Sequence, residues 1–154
     1  MSKKKNVRKD FESLKPSGDT FARIYKTMVT SEAFKSLSKK QRLLYVYMKM
    51  EYYGQPNKNR PDKNKLELFY FNRGIYKNKY ELYTNDGSFY RDRDALIEKG
   101  FIDCVRNGLT TRQKSIYRFS NRWRQYGTPY FKKATTDIMS SPMLKKQREM
   151  KVGS

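Results

Sequence analysis

Five side chains within one short stretch, Ser88, Tyr90, Arg91, Arg93 and Asp94, carry the donors and acceptors that meet base edges and phosphates. Arg91 is the strongest of them, because a guanidinium donates to guanine O6 and N7 together. Two other roles compete for it, a phosphate contact and an intrahelical pair with Asp94. A second group of cations, Arg106, Arg112 and Lys114, follows in and around a polar, basic turn between two apolar runs. Side chains of that kind on a hairpin reach phosphates or a minor groove. Lys39 and Lys40, with Arg42, open an earlier helix, where they serve either as backbone contacts or as a solvated face.

Elements must hold these groups in place. The stretch from Asp86 to Lys99 reads as a helix, with Phe89, Leu96 and Ile97 on one side and Ser88, Tyr90, Arg91 and Asp94 looking outward. Thr84-Asn85-Asp86-Gly87 is strong turn chemistry ahead of it, with Asp86 or Ser88 as the cap. Gly100 supplies a left-handed stop. Phe101–Arg106 and Ser115–Phe119 then form two strands that pair across Asn107–Gln113. Upstream, Phe21–Met28 is expected as a strand. Thr30 or Ser31 caps a short helix through Leu37, and Ser38 caps one that runs to about Tyr53. Residues 55–65 form a polar loop, Leu66–Phe71 a strand, and Ile75–Tyr83 a short helix preceding the turn. Trp123 packs on the domain from a helical turn at 121–126. A helix that runs straight into a basic hairpin is the arrangement of a winged helix-turn-helix.

Arg93 is the irregular member of the helix. It falls where an apolar side chain completes the inner face. Either the helix is rotated, or the Arg93 stem packs inward and its guanidinium snorkels to water. Asp92 and Asp94 either hold Arg91 or Arg93 in place or lower the local positive charge.

Composition points to the same partner. Lys and Arg number 35 against 15 Asp and Glu, for a net charge of +20 and a pI near 10.0. Self-repulsion of that size is relieved by a polyanion, and nucleic acid is the obvious one. At 154 residues, with aromatics at 15%, the chain suits one domain with a ring-rich core. The single Cys104 reads as a small buried side chain and fits a reducing cytoplasm. No run reaches the ~18 apolar residues of a membrane helix. The amino terminus lacks the apolar core of a secretion signal.

Catalysis finds no support. The chain has no His, which removes a histidine metal cluster of the nickase type. It has no Gly-rich phosphate loop, and nothing marks one of its 13 Tyr as a nucleophile. No cofactor and no metal are therefore expected. A competing binding class is RNA or single-stranded nucleic acid, gripped by basic residues interleaved with Tyr and Phe.

Three motifs together resemble winged-helix proteins of phages, plasmids and integrative elements of Gram-positive bacteria. They are the segment Phe34–Leu44 before the first long helix, Leu96-Ile97-Glu98-Lys99-Gly100-Phe101-Ile102, and Tyr117-Arg118-Phe119-Ser120 followed by Trp123. The resemblance covers roughly Phe21 to Phe131. It implies an α+β winged helix-turn-helix with three to four helices and a small antiparallel sheet, flanked by basic tails. The organisation expected is a flexible basic arm at 1–18, the DNA-binding domain at 19–131 and a basic tail at 132–154 with a helix-compatible end. The resemblance further implies a double-stranded DNA-binding protein of a mobile element. Such a protein is an accessory or regulatory factor in conjugative transfer or replication, working beside other transfer or replication proteins. A transcriptional repressor of its own operon is the alternative. Monomer and homodimer both remain open.

Overall fold

The computed structural model describes residues 20–108 and 112–134. The basic arm at 1–18, most of the C-terminal tail and the tip of the hairpin turn lie outside those residues. The fold is α+β, with helices packed on one small antiparallel sheet.

The first element is not a strand. Residues 20–25 have no regular structure, and α1 (Lys26–Val29) is a single helical turn. Only Met28 of it is buried, while Phe21, Ile24 and Tyr25 stay exposed, so the alternation in the sequence has no sheet to pair with. Ser31 caps α2 (Glu32–Lys35) by accepting from Phe34 N. Ser38 and Gln41 form a reciprocal capping box that starts α3 (Lys39–Gly54). Leu44, Tyr45 and Met48 form its buried stripe.

The sheet has the order β1 (Leu68–Tyr70), β3 (Ile116–Phe119), β2 (Ile102–Arg106). Phe69, Tyr117 and Cys104 are register partners across the three strands and are all buried. With Phe119 and Ile102 they make the inner face, because side chains two apart on a strand point the same way. Asp103 and Arg118 pair on the opposite face at 3.3 Å.

The helix expected at Ile75–Tyr83 is instead a π-helix, Gly74–Lys79. The backbone leaves the helix early because Glu81 is left-handed (φ 50°) and both Leu82 N and Tyr83 N donate to the Tyr76 carbonyl. The Tyr76 ring then stacks on Phe89 of α4 at 3.8 Å. α4 (Asp86–Glu98) is capped by Asn85, whose side chain accepts from Gly87 N and Ser88 N, rather than by Asp86 or Ser88. Asn85 wins because its backbone is extended, as a cap requires.

Gly100 has a double requirement. Its φ is +86°, and a β-carbon there would sit 2.5 Å from Trp123 N. That close approach lets Trp123 N donate to the Gly100 carbonyl and the indole stack on Phe101. α4, its stop and the hairpin are thereby locked into one unit. The whole arrangement is compatible with a winged helix.

Candidate nucleic-acid interface

Helical spacing divides α4 into an outward stripe and a packed face. Gly87, Ser88, Arg91, Ala95 and Glu98 share the stripe, with Arg91 and Glu98 exposed and the rest half-buried. Small side chains surround Arg91, so a ligand surface can approach the helix axis closely there. Among the described residues Arg91 makes no ion pair. Its expected competitor is occupied: Asp94 Oδ1 accepts from Arg93 Nε at 3.1 Å and Nη2 at 2.9 Å.

Arg93 and Asp94 do not face outward, which corrects their place among the base-facing residues. They are 0% and 1% exposed. Nor does the Arg93 guanidinium snorkel. It lies under the Tyr90 ring, 4.7 Å from the ring centre, with Nη1 3.4 Å from the Tyr117 hydroxyl. Burial disfavours its charge, but Tyr117 and Asp94 more than offset that and hold the group cationic. The pair is a fastening between α4 and the inner row of the sheet. No apolar residue could bridge Asp94 and Tyr117 in this way, so the irregular position in the sequence is explained by a polar bolt in the core.

Asp92 fastens the opposite flank. It accepts from the Tyr83 hydroxyl at 2.6 Å and from Gln41 Nε2 at 3.3 Å. Because Gln41 belongs to the α3 capping box, the first turn of α3 lies beside α4. Lys39 and Lys40 are exposed on that turn, and Lys40 Nζ sits 4.7 Å from the Tyr83 ring centre. Burial and the bond to Asp92 both push the Tyr83 phenol up.

The hairpin borders the other flank. Tyr90, half-buried and with its phenol pushed up by burial, lines a cleft of about 260 Å³ together with Arg73, Arg112 and Lys114. Arg112 and Lys114 are exposed, and Arg112 holds a left-handed backbone (φ 54°). Arg106 also holds the hairpin itself. Its Nε and Nη2 donate to the Lys114 carbonyl at 3.2 and 2.8 Å, clasping the two strands beside a register shift. Gly108 permits this narrow hairpin, since a β-carbon there would fall on the Gln113 carbonyl.

Two residues of the region escaped the sequence reading. Arg73 pairs with Asp86 at 3.4 Å and joins the cleft. Arg122 donates to Asp103 and to the Ile97 carbonyl at the end of α4. The Arg-Trp step at 122–123 was the available signal for the second, since a tryptophan that packs brings its neighbour against the same helix end.

Among the described residues no group of His, Cys, Asp and Glu could hold a metal ion, and no helix is long and apolar enough to cross a membrane. Comparison with protein-family models, with curated proteins and with solved structures finds no match.

Proposed function

We propose that the chain is a sequence-specific double-stranded DNA-binding protein of the winged-helix type. In this reading α4 enters the major groove, with Ser88 and Arg91 at base edges and Tyr90 at the border with the hairpin. Arg112 and Lys114 meet phosphates on one side, and Lys39 and Lys40 do so on the other. Arg106 shapes the hairpin that presents them. The observation that carries the proposal is the exposed Arg91 with Gly87, Ser88 and Ala95 within one turn of it, flanked on both sides by exposed cations. A net charge of +20 supplies the long-range attraction.

A duplex is favoured over a single strand because the rings are spent inside. Phe69, Phe71, Tyr76, Phe89, Phe101 and Tyr117 are all buried, leaving few faces near α4 on which bases could stack. The resemblance to winged-helix proteins of mobile elements supports an accessory or regulatory role in transfer or replication.

Salt titration is the test. With ~6 phosphate contacts, log affinity should fall against log salt with a slope of about −5, and Arg112→Ala with Lys114→Ala should flatten it by about 0.9 for each lost contact. A slope near zero for the wild type would sink the proposal.

A further inference from the structure

The cleft between α4 and the hairpin does not end at the hairpin. A second hollow of about 520 Å³ adjoins it, and both are lined by Asn72 and Lys114. The second hollow runs past Tyr70 on the edge strand β1 toward the loop after α3, where Lys58, Arg60 and Lys79 line it. Its walls therefore continue the positive side chains of the first.

The one carboxylate on those walls is already satisfied. Glu51 is 5% exposed, and its Oε2 accepts from Lys79 Nζ at 2.8 Å and from the Tyr80 hydroxyl at 2.7 Å. Lys79 thus serves to cancel Glu51. Arg60 donates to the Leu66 and Tyr52 carbonyls and, among the described residues, to no carboxylate. Lys58 is exposed in the short 3-10 turn Asn57–Asn59. A channel lined by Lys58, Arg60 and Lys114, none of them paired with a carboxylate among the described residues, leads away from a helix–hairpin cleft and matches the chemistry of a phosphodiester backbone. It does not match that of a neutral ligand.

We propose that this second hollow extends the interface: one strand of the flanking duplex leaves α4, passes Lys114 and is gripped by Lys58 under the field of Arg60. The inference rests on the duplex-binding reading above and adds residues far from the recognition helix in sequence. It also gives the interface a direction, since the hollow lies on one side of the hairpin only.

The test compares duplexes of about one helical turn (~10 base pairs) with duplexes lengthened by a further turn at either end. The wild type should gain affinity from lengthening one end and not the other. One phosphate contact steepens the salt slope by about 0.9, so that gain should shrink about 3.5-fold between 50 and 200 mM salt. Lys58→Gln should abolish the gain and Lys58→Glu should turn it into a loss, each measured against the same variant's own short-duplex affinity. A melting curve for each variant verifies the fold. Equal gains from both ends, a gain that survives Lys58→Glu, or a gain given by a single-stranded overhang and not by duplex would overturn the proposal. Arg112→Ala separates the two readings. It should weaken binding to the short duplex, while Arg91 still fixes the register and the one-sided gain persists.

Discussion

Arg91 and Arg93 stand two residues apart on α4, and they occupy opposite environments. Arg91 is exposed beside Gly87, Ser88 and Ala95, whereas Arg93 is wholly buried between Tyr90, Asp94 and Tyr117. On the hairpin the difference is milder: Arg112 is exposed, while Arg106 is half-buried and donates to the Lys114 carbonyl. Net charge therefore overstates the exposed cationic surface. Part of the arginine content is internal scaffolding, and its work is to hold the remaining cations at fixed places. Guanidinium suits that internal role because it stays charged when buried and donates several bonds in one plane.

The contrast can be broken from the buried side first. Arg93→Ala should cost about 3–5 kcal/mol of stability, because the buried Asp94 carboxylate would lose its guanidinium partner. Urea unfolding measures it. Replacing the pair together, Arg93→Met with Asp94→Leu, should recover most of the loss, since an apolar pair of similar volume removes the stranded charge. A loss under about 1 kcal/mol for Arg93→Ala would mean that the bolt carries no load, and the division of α4 into two flanks would lose its energetic basis.

Much of this was legible in the sequence, and the rest was hidden for identifiable reasons. Phe89, Leu96 and Ile97 fix the packed face of α4, and Gly100 marks its end, because these signals are local. The pairing of 102–106 with 116–119 is equally local. The strand expected at Phe21–Met28 failed because alternation predicts an extended segment without supplying a partner strand, and the sheet closes with three. Tyr76 ends the π-helix through carbonyl bonds to Leu82 and Tyr83, a tertiary effect that propensity does not encode. The site divides in the same way. Spacing puts Arg91 outside, but Asp94 and Arg93 inside depend on Tyr117, which lies 24 residues along the chain from Arg93.

A smaller effect sharpens the picture of a dry inner flank. Cys104 belongs to the same buried row as Tyr117, and burial pushes its thiol up to about 11. The thiolate is the reactive form, so a disulfide reagent at pH 8 should label Cys104 only after unfolding. The folded pKa lies above the ordinary thiol value of 9.0, so the folded state holds the proton more tightly. Stability should then fall as pH rises from about 9 toward about 11, and stay level with respect to this group below that window. Melting curves across the range measure it. Rapid labelling of the folded protein at pH 8 would show that water reaches the row.

The outward flank is tested by a pair of binding titrations with Arg91→Ala, on a selected preferred duplex and on a scrambled one. The prediction is a loss of about 1–3 kcal/mol on the preferred site, much less on the scrambled one, and an unchanged melting temperature. Equal losses on both duplexes would make Arg91 a phosphate contact. No loss on either would contradict the placement of α4 at the DNA.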